Sequence, residues 1–431
     1  MESLTTAKFA ANPRLRVTCG EVLPNGTIID LVLAADDRDG LDLLSWNGEE
    51  VLISPAIDGG KSIHYQSPDV DLSVCQAMTF PRGATEYGTA ADLFQKILSL
   101  YREHAGLRED LAAFTTWWTL ASWVPERLVI PVILCVSGAP MHQVLKLFRL
   151  FGSLCRRALP VAELSRHLPL FLHPTLLVND PNLSAKARAF WRAASCPEMF
   201  VPGTGGTVEE LGCAKAVLLR PEDPPDAWGE EAMHLVLPHA ELPTLSKPFL
   251  ASIAAEFQPQ LEMFRLHLLS GSDSFVSPTH PLARFDLARN LGACMPEDPA
   301  IVQILTPLLE SHQQGISAHR SCDPRVAILE VIWGPSHDQD EMSVGEITKR
   351  VNAILRSRGV TDEYNVREIG WKLSHLGLRT SSNGKRKGLR FASETRCGLH
   401  RSTREFGLQL PFRKDCSECQ GLQATEQKPV E

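Results

Sequence analysis

The order of apolar and polar positions changes character several times along the chain, and each change predicts a different kind of structure. Residues 1–85 contain short apolar runs separated by turn signals, as in RLRVTCGEVLPNGTIIDLVLA and LDLLSWNGEEVLIS. Short strands joined by Pro-Asn-Gly and Asn-Gly turns are typical of antiparallel hairpins. We therefore predict a small β-rich N-terminal domain over residues 1–85.

From residue 86 the pattern becomes helical and then alternates between two periods. TAADLFQKILSLYREH and LREDLAAFTTWWTLASWV predict two helices, with the tryptophans of the second in a core. Four continuous apolar runs then alternate with helical segments: IPVILCVSG, PTLLVND, AKAVLLRP and MHLVLP. This alternation indicates an α/β fold, a mostly parallel sheet with helices on both faces. We predict this domain over residues 86–242, followed by a helical subdomain over residues 243–320.

The next segment contains three helical patterns and a basic hairpin. DPRVAILEVIW, SVGEITKRVNAILRSRG and NVREIGWKLSHLG each begin with a helix-capping residue, namely Asp323, Ser343 and Asn365. LRTSSNGKRKGLRF then predicts a hairpin that turns at its Asn-Gly pair. This layout resembles a winged helix-turn-helix. We predict such a module over residues 321–392 and a separate tail over residues 393–431.

The run VIPVILCVSGAPMHQVLKLF has the outline of a phosphate-binding loop between a strand and a helix. Such a loop needs G-x-x-x-x-G-K-[ST], in which backbone N–H groups surround a phosphate and the lysine adds charge. With Gly138 as the first glycine, the three later positions fall on Gln143, Val144 and Leu145. The lysine and the magnesium-binding hydroxyl are therefore missing, and Lys146 lies two residues too far along the helix.

The acidic partner motif of such a site is altered as well. TLLVND places Asn179 and Asp180 where these enzymes carry an Asp-Glu pair for magnesium and the attacking water. The order of elements over roughly residues 86–320 resembles P-loop ATPases of the helicase and mobile-element replication type. The resemblance implies their fold, whereas the unmatched residues argue against hydrolysis and nucleotide binding. The vestigial residues are Ser137, Gly138 and Lys146 of the loop, and Asn179 and Asp180 of the acidic motif.

Charge separates the C-terminal module from the rest of the chain. The whole chain has a formal net charge of -8, whereas residues 343–414 contain 16 Lys and Arg against 6 Asp and Glu. A basic module on an acidic protein suggests a polyanionic partner, and in a winged helix the third helix and the wing would meet DNA. The alternatives are a solvated charged face and a protein-contact module. The predicted DNA contacts are Arg367, Lys372, Lys385, Arg386, Lys387 and Arg390.

The tail carries two short pairs of metal-binding residues. Cys397 and His400 are separated by two residues, and so are Cys416 and Cys419. The full spacing, C-x2-H-x15-C-x2-C, suits tetrahedral zinc, so we predict a structural zinc on these four residues. The alternative is a tail with incidental cysteines. Eleven scattered cysteines in the chain argue against a disulfide framework.

These patterns favour a DNA-binding protein built on a catalytically degenerate ATPase-like scaffold, and the balance is against an enzyme. A role in replication or mobilisation of an accessory genetic element is implied by the resemblance alone. Two alternatives stay open: an active NTPase or helicase-like motor with a non-standard site, and a ligand-sensing transcription regulator. A homo-oligomer and a replication or regulatory protein partner are both compatible with the sequence. No apolar run reaches the roughly 20 residues of a membrane helix, and no signal pattern is present, so we expect a cytoplasmic protein without a membrane partner.

Overall fold

The computed structural model describes residues 14–34, 40–59, 63–128, 130–138, 140–164, 168–180, 182–193, 200–202, 208–210, 214–218, 228–230, 232–239, 242–271, 279–294, 296–383, 386–408, 410, 411, 413, 416 and 419. The chain divides into two compact units, Met1–His312 and Gln313–Glu431. Within the described part of the chain, no helix is long and apolar enough to cross a membrane.

The first unit begins with seven short strands. They are β1 (Arg14–Val17), β2 (Gly20–Val22), β3 (Ile28–Leu33), β4 (Leu41–Trp46), β5 (Val51–Ser54), β6 (Ala56–Asp58) and β7 (Ile63–Gln66). Strands β2 to β5 form an antiparallel sheet in chain order, while β1, β7 and β6 form a second sheet. Gly26 and Gly48 have positive φ in the turns that follow β2 and β4, as the Asn-Gly turn signals require.

An α/β region follows in the same unit. Its elements are α1 (Leu72–Ala77), α2 (Ala90–Ala105), α3 (Glu109–Ala121), β8 (Ile133–Ser137), α4 (Met141–Leu154), β9 (Ala158–Val161), β10 (Thr175–Val178), α5 (Ala185–Ala193), β11 (Phe200–Pro202), β12 (Val208–Glu210), β13 (Lys215–Leu218) and β14 (Ala232–Val236). Five strands form a wholly parallel sheet in the order β14-β8-β13-β10-β9. The predicted parallel sheet is therefore confirmed, and its strand order is 5-1-4-3-2 when its strands are numbered along the chain.

The tryptophans of α3 and of the residues after it lie in the core of the first unit. Trp117, Trp118 and Trp123 are all fully buried. Two of the indole N–H groups are satisfied by backbone carbonyls, since Trp118 donates to Val132 at 2.8 Å and Trp123 to Leu154 at 2.9 Å. A buried Trp is stable when its N–H finds such a partner. These residues are core, as the helical pattern predicted.

The first unit ends in helices. They are α6 (Lys247–Ser270), α7 (Asp286–Asn290) and α8, which runs over Pro299–Ser321 and so extends past the end of the unit. Helix α6 packs against α4, and Gln258 in α6 donates to the carbonyl of Ser153 in α4 at 2.9 Å. This pairing places the long face of α6 along the helix that follows strand β8.

A group of buried charges crosses the core of the first unit, and we call it the Asp30 cluster. Asp30, in β3, accepts hydrogen bonds from Arg156 at 3.0 Å, from Arg265 at 2.5 Å, and from Arg157. These four side chains are at most 4% exposed. Glu126 pairs with Arg265, and Glu262 is buried nearby. Charges at such depth are tolerated only when they are paired.

Electrostatics within the Asp30 cluster pull its carboxyl groups in opposite directions. Burial alone would raise the pKa of Asp30, but the charges of the three arginines outweigh it and hold that pKa well below its usual range. At Glu262 the same three arginines also lower the pKa, but burial, with Asp30 as the second cause, outweighs them and raises it to about 8. Glu126, paired with Arg265, has its pKa lowered to about 2 despite its burial. The cluster therefore contains two ionised carboxylates, Asp30 and Glu126, and one carboxyl group, Glu262, that is largely protonated at neutral pH.

The described part of the second unit contains four more helices and three strands. They are α9 (Pro324–Asp338), β15 (Glu341–Ser343), α10 (Val344–Ser357), α11 (Val366–His375), β16 (Thr380–Asn383), β17 (Arg386–Arg390) and α12 (Ser393–Glu405). The strands form an antiparallel sheet in the order β15-β17-β16. Asp323, Ser343 and Asn365 cap α9, α10 and α11, as predicted, and Asn365 forms a reciprocal capping box with Glu368. Ile347, Leu373 and Leu389 join these elements in one core.

Candidate metal centre and basic surface

Four side chains that can bind a metal converge in the second unit, and we call them the His/Cys cluster. They are His337 near the end of α9, His400 in α12, and Cys416 and Cys419 in the tail. Their ligand atoms all lie within 4.8 Å of one another. Sγ of Cys419 is 3.2 Å from Nε2 of His400 and 3.5 Å from Nε2 of His337. Sγ of Cys416 is 3.6 Å from Nε2 of His400.

The backbone of the two helices fixes which nitrogen each histidine offers to the centre. Nδ1 of His337 lies 2.8 Å from the carbonyl oxygen of Trp333, and Nδ1 of His400 lies 2.8 Å from that of Arg396. A carbonyl can only accept, so both Nδ1 atoms carry the proton and both Nε2 atoms carry a lone pair that faces the sulfurs. This is the second-sphere arrangement that orients histidine ligands in metal sites.

Neighbouring contacts hold the tail against the helices. The Trp333 ring packs on both histidines, with ring centroids 5.0 Å from His337 and 4.6 Å from His400. The indole N–H of Trp333 donates to the carbonyl of Pro411 at 2.9 Å, and Arg413 pairs with Asp338 at 2.9 Å. The tail residues that precede Cys416 are therefore anchored to α9 by two separate contacts.

The geometry and the donor atoms both suit tetrahedral zinc. Zinc bonds of about 2.0–2.3 Å in a tetrahedron separate neighbouring ligand atoms by roughly 3.3–3.8 Å. Three of the six ligand–ligand separations are 3.2 to 3.6 Å and lie close to that range, and all six are at most 4.8 Å. Burial raises the pKa of the Cys419 thiol, so a metal that binds here has to displace a proton from that sulfur.

The cluster contains three of the four predicted zinc ligands and replaces the fourth. Cys397 is exposed on α12 and lies outside the group, and His337 takes the remaining position. Local spacing pointed to Cys397 because it precedes His400 by three residues. The sequence signal for His337 was weaker: it lies four residues after Trp333 and therefore on the same face of one helix. Its partners in the cluster lie more than 60 residues away in the sequence.

Three of the six predicted DNA contacts are exposed at the surface of the second unit. Arg367 is exposed in α11, and Lys387 and Arg390 are exposed in β17. Lys372 is half-buried, and its ammonium lies 4.9 Å from the ring centroid of Tyr364. Arg386 opposes Asn383 in the β16–β17 hairpin. Lys385 lies outside the described residues.

The structure adds an exposed tryptophan to this surface. Trp371, four residues after Arg367 in α11, is 64% exposed, and its ring lies 3.9 Å from that of His375. Residues four apart share one face of a helix, so Arg367, Trp371 and His375 form a single outward stripe. The helical period could have found this residue, since Ile369 and Leu373 occupy the buried face of the same helix.

The vestigial nucleotide residues all have structural contacts. A Cβ added at Gly138 would lie 2.8 Å from the side chain of Val236, so packing against β14 accounts for this glycine. Nζ of Lys146 donates to the carbonyl of Leu242 at 2.8 Å. Ser137 accepts through its carbonyl from the backbone of Leu237.

The two residues of the acidic motif, Asn179 and Asp180, also have structural contacts. The backbone N–H of Asn179, just after β10, donates to the carbonyl of Val161, which ends β9. The carboxylate of Asp180 accepts from the backbone N–H of Asn182 at 2.9 Å, closing a local turn. Both residues thus stabilise the carboxyl edge of the sheet.

Comparison with known proteins identifies no family for this chain. No family model matches it, and no curated protein matches it. Two structures of the apo C-terminal region of NrS-1 align with this chain at 9% identity, with TM-scores of 0.33 and 0.34. Each alignment covers 84% of this chain and 96% of the NrS-1 chain. A similarity of that size carries no argument about fold or function.

Proposed function

We propose that the protein binds DNA through its second unit, which we assign as a winged helix-turn-helix. The observation that carries the proposal is the outward stripe of α11, with Arg367 and Trp371, followed directly in the chain by the basic hairpin β16–β17. The order helix, strand, helix, helix, hairpin, with β15 paired to β17, supports this assignment. In such modules the third helix enters the major groove.

Within this proposal, zinc is the ion of the His/Cys cluster and has a structural role. Two imidazole nitrogens and two sulfurs leave no open coordination position, which is typical of structural sites. Zinc bound there would fix α9, α12 and the tail together. Cys416 and Cys419 would bind as thiolates, and His337 and His400 through Nε2.

We further propose that the first unit is a P-loop-type scaffold without hydrolytic activity. The 5-1-4-3-2 strand order supports it. In this order β13 lies between two strands of the site, namely β8, which would lead into the phosphate loop, and β10, which would lead into the acidic pair. The structural contacts of Gly138 and Lys146 support the loss of activity. A role in replication or mobilisation of an accessory genetic element extends this proposal and rests on the resemblance alone.

DNA binding is tested by salt-dependent titration of a fluorescent duplex. We expect Arg367→Ala and Lys387→Ala each to weaken binding and to reduce the slope of log K against log salt by about 1, because each removes one phosphate contact. Arg102→Ala, which removes an exposed charge from α2, is the matched control and should leave the slope unchanged. Equal slopes for all four proteins would overturn the DNA-binding assignment.

The scaffold is tested separately by nucleotide titration with and without magnesium. We expect no turnover of ATP by the purified protein. An ATP turnover that Asp180→Ala abolishes would show that the acidic motif is active and would overturn the scaffold proposal.

A further inference from the structure

A cavity of about 1060 Å³ lies inside the first unit, apart from the vestigial loop. Its walls come from α4, from α6 and from the segment 75–82, and Val161 and Asn179 line it at the carboxyl ends of β9 and β10. Ligands of parallel α/β sheets bind at this edge. The volume is at the upper end of the range of about 300–1,000 Å³ for small-molecule sites.

Small side chains keep the middle of this cavity open. Helix α6 turns Ala251, Ala254 and Ala255 toward it, and α4 contributes Gly152. A Cβ added at Gly152 would meet no atom within 4 Å. Phe80 lies among the other lining residues, so the walls offer an apolar ligand body a close fit.

The charged side chains that line the cavity are all positive. Arg82, Arg149 and Lys247 line the cavity, and none of the described residues that line it is acidic. These three side chains are exposed, and none forms an ion pair with another residue that the structure describes. In a chain with a net charge of -8, three uncompensated cations at one cavity favour an anionic ligand.

A buried amide fixes one wall of the cavity. Gln258 lines the cavity, is 1% exposed, and donates through Nε2 to the carbonyls of Ser153 at 2.9 Å and Cys155 at 3.2 Å. Those two bonds fix the orientation of the amide, because an oxygen in that place could not donate. They also hold α6 against the end of α4, so the wall that carries the alanines is already formed without a ligand.

We propose that this cavity binds an organic anion that has an apolar body. The anionic group pairs with Arg149 and Lys247, and Arg82 adds positive potential. The body lies against the alanines of α6. Carboxylates and phosphate monoesters share this chemistry, and a competition experiment separates them.

Two dyes that differ in one group test the proposal. 1-Anilinonaphthalene-8-sulfonate carries an anion, apolar rings and an N–H, whereas N-phenyl-1-naphthylamine lacks only the sulfonate. We expect saturable binding of the sulfonate dye, weakened roughly tenfold by combined Arg149→Gln and Lys247→Gln, which removes two charged contacts. Affinity for the neutral dye should not change. Arg102→Gln is the control. It lies outside the cavity and removes one positive charge, as each of the two cavity substitutions does.

A second variant checks where the dyes bind. Ala254→Leu fills the cavity and should weaken both dyes, while an unchanged melting temperature shows that the unit stays folded. The proposal is wrong if Ala254→Leu leaves dye binding intact, or if the charge variant affects both dyes equally. Competition then identifies the head group: displacement by dodecanoate assigns a carboxylate, displacement by AMP assigns a phosphate, and displacement by neither overturns the proposal.

Discussion

The Asp30 cluster of the first unit and the His/Cys cluster of the second both bury polar side chains, but only the Asp30 cluster pairs its own charges. The carboxylate of Asp30 takes bonds from three arginines, while Nε of Arg156 and Oε1 of Glu262 have no partner among the described residues. In the His/Cys cluster, the Nε2 lone pairs of His337 and His400 converge with two sulfurs on one point. One group is closed by the chain itself, and the other is arranged to receive a cation.

The difference separates buried charges that are paired within the fold from buried side chains that can bind a metal. Arg157 also donates to the carbonyls of Leu172 and Cys19, and Arg265 donates to that of Trp123. Such bonds consume the donors of the arginines, so a ligand would find few left. The histidines bond to the backbone at Nδ1, and their inner nitrogens face the sulfurs of the two cysteines.

The largest expected effect is loss of metal from the His/Cys cluster. We expect protein purified without a histidine tag to hold about one equivalent of zinc, and Cys419→Ser or His337→Ala to remove it. Structural zinc contributes apparent binding free energies of about 10–16 kcal/mol in small zinc-binding peptides, so the second unit should melt at lower temperature without it. Elemental analysis and calorimetry measure both effects.

Cys397→Ser is the matched control for this prediction. Because Cys397 is exposed and outside the cluster, its variant should keep the full zinc content. Loss of zinc from Cys397→Ser together with retention by His337→Ala would restore the ligand set that local spacing suggested. Less than about half an equivalent in the unmodified protein would argue against a structural site altogether.

The next largest effect is expected from opening the Asp30 cluster. Asp30→Asn keeps the shape of the side chain but leaves three buried arginines without their shared anion, which should destabilise the first unit by about 3–5 kcal/mol. Glu310→Gln breaks the exposed pair with Arg284 and should cost about 0–1 kcal/mol. Urea unfolding compares the two. Similar losses for both variants would mean that the cluster adds nothing beyond a surface ion pair.

The sequence predicts local features of both regions and misses what joins distant residues. Continuous apolar runs gave the strands of the parallel sheet, and short-range capping rules placed Asn365 at the start of α11. The Asp30 cluster joins residues 126 to 235 positions apart, and no periodic pattern encodes such a contact. His337 was missed for the same reason, because a ligand set reaches across the fold while spacing rules see only neighbours.

The effect that is smallest per pH unit concerns the protonation of Glu262. Its pKa is about 8 in the folded protein against an ordinary value of 4.5, so between these values the folded state holds a proton that the unfolded state releases. Stability of the unmodified protein should therefore fall as pH rises through this window, by at most about 1.4 kcal/mol per pH unit. Glu262→Gln, which cannot ionise, should remove that fall and be more stable than the parent at the alkaline end.

Asp30 changes the stability of the same unit with pH in the opposite direction. Its lowered pKa contributes stability that is present above the ordinary range of an aspartate and is lost only in acid, so the two carboxyl groups act at opposite ends of the pH scale. Thermal unfolding of the parent and of Glu262→Gln, measured across both windows, separates them. If the two proteins show the same alkaline fall, then Glu262 is ionised at neutral pH, and the Asp30 cluster balances three arginines with three carboxylates instead of two.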